Sequence, residues 1–379
     1  MKTFTQILFS LFFFLSISTQ AQEVIRNKPD GGYLFNIEKN ISATEVKDQA
    51  GSGTCWSFST CSFLESELMR MGKGSFNLSE MFVVNRIYLE KAELYIRMQG
   101  NGRFSEGGTF HDVNNTFKKY GIVPESVYSG MVNGATRHNH SELDAVMAKM
   151  VELYVERGEK ISPLWKAGIQ SILDTYLGKT PETFEYEGKT YTPKSFAASL
   201  EINVDDYIEF SSFTHHPYYE KFILEIPDNW DWNRVYNLPL DELMEVVDHA
   251  LENDFTVGWD TDASERYFSH RNGVAVVPAD MENLYQVLNE PGEEMVITPE
   301  IRQEGFDNFS TTDDHLMHLT GLAKDQNGKR YYMVKNSWGE NSNACGGFLF
   351  ASEAYLKYKT IHILVHKDAV PKKILKKLK

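Results

Sequence analysis

The hydrophobic period changes partway along the chain, and that change bounds the folds open to it. In the first half, apolar residues recur at helical spacing. Phe58, Cys61, Leu64 and Leu68 share one face of a segment that Thr54 can cap and Gly72 can end, which predicts a helix over 54–70. Helices are also expected over 79–97 and 109–120. Residues 141–157 are amphipathic, with Leu143, Met147, Met150 and Tyr154 along one face. Methionines so spaced ordinarily pack a core. Toward the C-terminus the pattern shortens and partly alternates, over 315–323 and 330–335. Between these runs lies Lys324-Asp-Gln-Asn-Gly-Lys329, whose Asn327-Gly328 pair is a hairpin-turn signal. Residues 347–350 and 361–365 read as further strands. The sequence has neither an internal repeat nor a long Gly/Ser/Pro linker. Helices first and strands later argue for an α+β fold with two lobes.

The N-terminus carries an address. Met1-Lys2 is followed by an apolar run over 7–17 and then by Thr19-Gln20-Ala21. A basic start, a short apolar segment and a small residue at the cleavage point make a secretory signal. The run falls short of the roughly 20 apolar residues that a membrane span needs. No cysteine follows it to accept a lipid, and no comparable stretch recurs. The mature protein is therefore expected to be soluble, free of the membrane, and exported to a bacterial periplasm or beyond. Its 38 basic residues against 53 acidic ones give a charge of −15, which repels phosphate backbones and argues against nucleic-acid partners. Cys55, Cys61 and Cys345 are too few for a disulfide framework, but 379 residues suffice for a sizeable core.

The chemistry concentrates in Gln49-Ala-Gly-Ser-Gly-Thr-Cys55-Trp-Ser-Phe-Ser. A glycine-rich loop here runs straight into a helix that begins with a cysteine. Backbone N–H groups and the helix dipole favour an anion at that end, so a thiolate is stabilised. The same groups, with the Gln49 amide, can hold the oxyanion of a tetrahedral intermediate. A lone cysteine is ordinarily a buried packing residue; these surroundings turn Cys55 into a candidate nucleophile. Candidate bases lie in Asp313-Asp314-His315-Leu-Met-His318. Folding the hairpin about Asn327-Gly328 returns Asn336, in Asn336-Ser-Trp-Gly339, to the level of His315. The Asn336 oxygen can then fix one ring nitrogen while the other faces the thiol, and Trp338 can shield that bond from water. His318 is expected to be an ordinary satisfied histidine. His138, His140, His215 and His216 lack helical spacing and a clear carboxylate partner, so they are expected on surface loops and no metal is expected. Asp260 and Asp262 are candidates for the substrate side.

Gln49, Cys55-Trp56-Ser57-Phe58, Asp314-His315 and Asn336-Ser337-Trp338-Gly339 occur together in an order that resembles the papain-like cysteine peptidases. In papain and the cathepsins the histidine follows the cysteine by about 130–150 residues. Here it follows by 260, so more than 100 residues are inserted. The usual bridge is missing at both ends, with Ser52 and Ser105 standing where its cysteines would be. Large helical insertions without that bridge resemble the bleomycin hydrolase/aminopeptidase C branch. Asn77-Leu-Ser-Glu80, Glu106-Gly-Gly-Thr109, Lys118-Lys-Tyr-Gly-Ile-Val-Pro124 and Phe306-Asp-Asn-Phe309 agree with it.

The resemblance implies a papain-like two-lobed fold: a helical lobe and an antiparallel β-barrel-like lobe, with helical insertions. The expected divisions are a signal over 1–21, the helical lobe over 22–205, the β-rich lobe over 206–365 and a C-terminal arm over 366–379. It implies Cys55 as nucleophile, His315 as general base and acid, Asn336 as orienter, and Gln49 as oxyanion donor with the Cys55 N–H. Gly107, Gly108, Asp314 and Trp338 fall on the substrate side. The substrate is then a peptide, trimmed from its N-terminus, with no metal or organic cofactor. The arm is expected in the cleft and the assembly as a hexameric ring. Five lysines among the last eight residues fit poorly beside a substrate ammonium unless they point into solvent. Two rivals share the scaffold: an endopeptidase or dipeptide-releasing enzyme, and a non-catalytic peptide-binding protein.

Overall fold

The computed structural model describes residues 23–379; the apolar run over 7–17 and the cleavage point at Ala21 lie outside them. Two strands come first, β1 (Val24–Arg26) and β2 (Leu34–Asn40). Four long helices follow: α1 (Cys55–Arg70), α2 (Glu80–Arg97), α3 (Phe110–Tyr120) and α4 (Ser141–Arg157). Then come α5 (Trp165–Leu177), a hairpin of β3 (Phe184–Tyr186) and β4 (Lys189–Tyr191), and α6 (Pro193–Leu200). Strands β5 (Tyr207–Ser211), β6 (Lys221–Ile223) and β7 (Arg234–Asn237) lead to α7 (Leu240–Glu252) and β8 (Val257–Thr261). Short strands β9 (Phe268–Ser269) and β10 (Val274–Ala275) precede β11 (His315–Lys324), β12 (Arg330–Lys335), β13 (Phe348–Ser352) and β14 (Thr360–His366).

The helix ends follow local chemistry. The Ser79 hydroxyl accepts from the Phe82 N–H at 3.0 Å and starts α2. Asp112 reaches back to the Thr109 N–H at 2.9 Å and starts α3. Thr54 precedes α1 but makes no capping bond; its hydroxyl pairs with that of Ser52 at 2.7 Å. The Ser57 and Phe58 N–H groups turn back to the Thr54 carbonyl, no side chain caps the first turn of α1, and that turn carries no acidic residue. The β11–β12 turn forms about Gly328, at φ +82°, and Asp325 accepts from the Asn327 and Lys329 N–H groups.

Among the described residues, twelve strands join one mixed sheet, in the order β6-β7-β5-β14-β8-β11-β12-β13-β10-β9, with β2 also pairing β11 and β1 pairing β2. Although β1 and β2 precede the helices, their side chains belong to the sheet. Phe35 stacks on Phe350 with ring centroids 3.9 Å apart. One apolar core fills the space between the sheet and α7, a second joins α1 to α5, and a small third gathers Phe213, Phe222, Leu224, Ile226, Val235 and Ile361. Residues 130–205 are expected to be helical, and α4, α5 and α6 are; the β3–β4 hairpin interrupts them.

Helix α1 belongs to the second core, packs against β11 and β8, and is buried on every face from Cys55 to Leu68. Ser59 Oγ donates to the Met317 carbonyl at 3.1 Å, and Ser62 Oγ meets His318 Nδ1 at 2.9 Å. Lys335 Nζ donates to Ser62 Oγ at 2.8 Å and Thr44 Oγ1 at 2.9 Å. These bonds fix the position of α1 against β11, and so the height of Cys55 relative to His315. His318 is thus a buried part of this seam.

Candidate active site

The nucleophile loop is braced from two sides. Gln49 Nε2 donates to the Ser52 carbonyl at 2.8 Å, and the Ser337 hydroxyl donates to Gln49 Oε1 at 2.5 Å. One amide hydrogen of Gln49 remains for another acceptor. Gly53 N–H donates to the Glu106 carboxylate, and Trp56 Nε1 donates to the Glu106 carbonyl at 2.9 Å. These bonds join the loop at Ser52 to the turn at Ser105, the pair of positions where a disulfide would stand. All three cysteines are free.

On the facing strand, His315 Nε2 donates to Asn336 Oδ1 at 2.7 Å, which leaves Nδ1 as the free ring nitrogen. The Ser337 N–H also donates to that oxygen, at 2.7 Å. Trp338 stacks on the imidazole with centroids 4.8 Å apart at 26°. His270, to which no sequence pattern pointed, completes the chain. Asn336 Nδ2 donates to His270 Nδ1 at 3.2 Å, and His270 Nε2 donates to Ser342 Oγ at 2.7 Å. His270 arrives at the end of β9, through pairing of β9, β10 and β13.

Burial governs the charges. It pushes the Cys55 thiol up to about 12, with the carboxylates of Asp260, Asp228 and Asp313 adding to the rise and the Leu316 backbone opposing it. Burial also drives the His315 imidazole down to about 4, against its bond to Asn336. Each group alone therefore holds its neutral form. Passing the proton from sulfur to ring leaves the net charge unchanged and sets a thiolate on the N-terminus of α1. The arrangement can deliver a thiolate nucleophile, a proton donor for a leaving group, and N–H groups for an oxyanion.

Gly107 and Gly108 follow Glu106 in the turn that braces the nucleophile loop. A Cβ on Gly108 would meet Asp112 and Trp56, and one on Gly107 would lie 1.8 Å from Asp228 Oδ2. Asp228 sits in a loop between β6 and β7 that is tied to α3. Trp230 Nε1 donates to Asp112 Oδ1 at 2.9 Å, and His111 Nε2 meets Asp231 Oδ1 at 2.7 Å. Asp314 turns from the cleft to accept from the Ala263 N–H at 2.7 Å. Asp260 is fully buried and bonds His362 Nδ1 at 2.8 Å, whereas Asp262 accepts from the Thr312 N–H.

Three expectations are corrected. His138 and His140 are buried rather than on the surface, because their backbone pairs with Gly51 and His138 packs edge-on against Phe58. His215 and His216 do have a carboxylate partner, Glu225, at 2.7 and 3.1 Å. Among the described residues these three could hold a metal ion, their donor atoms lying within 4.8 Å of one another. The C-terminal arm, expected in the cleft, packs beside α7. Ala369, Val370 and Ile374 enter the core beside α7, His249 Nδ1 meets the Ala369 carbonyl, and Lys373 and Lys377 pair with Glu245 and Glu242. Lys379 bonds Tyr219 and Glu220. Lys373, Lys377 and Lys379 thus turn to carboxylates on α7 and beside β6.

The model of the Peptidase C1-like family matches residues 17–379. Aminopeptidase G of Lactobacillus delbrueckii subsp. lactis is 23% identical over 89% of this chain and 84% of its own length. Aminopeptidase C of Streptococcus thermophilus is 24% identical over 93% and 85%. The crystal structure of PepW from Lactobacillus rhamnosis HN001 superposes with a TM-score of 0.71 at 21% identity, covering 90% of this chain and 84% of that one. That likeness extends to the fold.

Proposed function

The chain belongs to the Peptidase C1-like family, as a papain-like cysteine peptidase of the bleomycin hydrolase branch, and from that premise we propose that it is an exported aminopeptidase that releases residues from the free N-terminus of peptides. The reading rests on one observation above the others. The Cys55 thiol at the start of α1 lies against the backbone of Leu316, the residue after His315; His315 bonds Asn336, and Ser337, next to Asn336, bonds Gln49. The aminopeptidase names of the relatives supply the substrate class.

In this mechanism Cys55 gives its proton to His315 and its sulfur attacks the scissile carbonyl. The oxyanion takes hydrogen bonds from the Cys55 N–H and the remaining Gln49 amide hydrogen. His315 passes the proton to the leaving amine, the C–N bond breaks, and a thioester remains. His315 then takes a proton from water, which attacks the thioester and restores the thiol. Export follows from the signal pattern over 1–21.

The test compares peptides with a free and an acetylated N-terminus, mapping products by mass. Sequential loss of N-terminal residues from the free peptide alone is expected. Equal cleavage of the blocked peptide would overturn the aminopeptidase reading in favour of an endopeptidase.

A further inference from the structure

Outside the peptidase machinery, two consecutive histidines converge on one carboxylate. In an extended strand His215 and His216 would point to opposite faces. Here residues 214–216 turn between β5 and β6, and both rings come to one side with centroids 4.3 Å apart. The fully buried Asn237 fixes that turn. Its Nδ2 donates to the Phe213 carbonyl at 2.8 Å and the His216 carbonyl at 2.9 Å, and its Oδ1 accepts from the Phe213 N–H at 2.8 Å. Glu225 follows β6 between the buried Leu224 and Ile226, and the Ile226 N–H donates to the Leu224 carbonyl at 3.0 Å across it.

The donor atoms are aimed and spaced for one ion. His215 Nε2 lies 2.7 Å from Glu225 Oε2, and His216 Nε2 lies 3.1 Å from both carboxylate oxygens. One ligand atom from each residue falls within 4.8 Å of the others. Tetrahedral zinc bonds of about 2.0–2.2 Å set neighbouring donors roughly 3.3 Å apart, so small side-chain shifts admit an ion. The rings are held in place. His216 stacks on Phe222 with centroids 4.5 Å apart at 29°, and His215 lies at 19° to Phe306 with centroids 6.0 Å apart. Behind His215, the Gln303 amide closes on Nδ1, with Nε2 at 2.9 Å and Oε1 at 3.2 Å. That amide is itself oriented: the Thr214 N–H donates to Oε1 at 2.7 Å, and Nε2 donates to Asp307 Oδ1 at 2.8 Å. With the Nδ1 proton given to Gln303 Oε1, the Nε2 lone pair faces Glu225, as in a metal-binding histidine steadied by an outer partner. Among the described residues no lysine or arginine pairs with Glu225, so a cation between the three groups would balance it.

We propose that His215, His216 and Glu225 bind a divalent transition-metal ion of the zinc type, which clamps the 214–216 turn to the segment after β6. Two imidazoles and a carboxylate suit Zn²⁺, whereas Ca²⁺ and Mg²⁺ call for oxygen donors throughout. Three protein ligands leave the fourth position to water. The ion acts on stability: binding the folded chain and not the unfolded one, it raises the melting temperature by mass action.

The test uses the mature chain carrying Cys55→Ala, so that the nucleophile thiol cannot take the metal, after chelation and dialysis. Zn²⁺ is titrated by calorimetry and Co²⁺ by visible absorption, with melting measured before and after. One equivalent per chain is expected, without the thiolate charge-transfer band that Cys61 or Cys345 would give, and with a rise in melting temperature. Adding His216→Ala or Glu225→Gln is expected to weaken binding at least about 10–100-fold, the scale for losing even an outer partner of a metal ligand, and to remove the rise. Equal binding in a folded His216→Ala chain, or a band from sulfur, places the metal elsewhere and overturns the site. No binding at millimolar Zn²⁺ leaves a hydrogen-bonded cluster only and overturns it equally. Should His216→Ala fail to melt cooperatively, the isosteric Glu225→Gln decides. None of these outcomes bears on the aminopeptidase reading.

Discussion

His270 Nδ1 accepts the Nδ2 proton of Asn336 at 3.2 Å, so the residue proposed to orient the base is itself oriented. His270 touches neither thiol nor imidazole by a hydrogen bond; it acts by fixing the amide flip of Asn336. Its own pKa is driven down to about 4 by burial and then by the neighbouring His315 imidazole, with which it would share any positive charge, so it stays neutral and keeps Nδ1 as an acceptor. His270→Ala is expected to lower kcat on the order of 10–100-fold with a smaller change in KM, since misplacing a reacting group by about 1 Å costs that much. His270→Gln, which retains an acceptor, should recover part of the loss. An unchanged kcat in His270→Ala would remove it from the chain.

Removing the sulfur should end turnover. Cys55→Ala is expected to lower kcat by at least about 10⁴-fold, by analogy with the loss of other catalytic nucleophiles. Circular dichroism and melting should match wild type, because the exchange lies at the end of α1. Residual hydrolysis near the wild-type rate would exclude the thioester route.

The acid limb of activity should lie low. With the His315 imidazole held down to about 4 by burial, the ring takes up a proton from solvent only below that pH. kcat/KM should therefore hold steady down the acid side and fall with a midpoint near 4, rather than near the ordinary imidazole value of about 6.5. A pH profile on a short free-amine substrate checks this, and a midpoint near the ordinary value contradicts it.

Stability should fall on the alkaline side for a separate reason. Burial lowers His111 and His362, but the carboxylates around each overcome it. Asp112, Asp231 and Glu209 raise His111, while Asp260 and Glu209 raise His362, in both cases to about 9. A pKa raised in the folded state stabilises fully below the unfolded value of about 6.5, and that contribution is lost as pH climbs through about 9. Melting temperature should decline over that window. His362→Gln should flatten the decline, and a variant that keeps the full decline would exclude His362 as its source.

Behind the nucleophile, Lys47 pairs with the buried Glu65 at 3.3 Å and with Glu80. Lys47→Met leaves two buried carboxylates without their cation. Destabilisation of about 3–5 kcal/mol is expected in urea unfolding, the cost of breaking a buried pair by removing one partner. A change below 1 kcal/mol, on the scale of an exposed pair, would mean that water already reaches the cluster.

Much of this was legible in the residues, and the exceptions share a cause. The helices from Ser79, Thr109 and Ser141, the hairpin at Gly328 and the nucleophile loop announce themselves through short-range signals: caps, periodicity, turn residues. The His315–Asn336 bond was foreseeable because a single hairpin carries both. His270, Asp228 and the paired burial of His138 and His140 were not. Each depends on a contact between segments distant in sequence, so the surrounding residues look like any polar loop. Leu34–Asn40 was assigned to the helical half for the same reason: only pairing with β11 reveals its place.

The hydrogen bonds that run from Gly53 and Trp56 to Glu106 have a consequence for how the protein matures. Where the resemblance to papain and the cathepsins implies a covalent bridge, here the corner closes with hydrogen bonds that form as soon as the chain is in place. Assembly of the scaffold then needs no oxidant. The reducing conditions that keep a sulfur nucleophile alive cannot unpick the corner that holds it. Redox state governs the reagent and leaves its holder untouched.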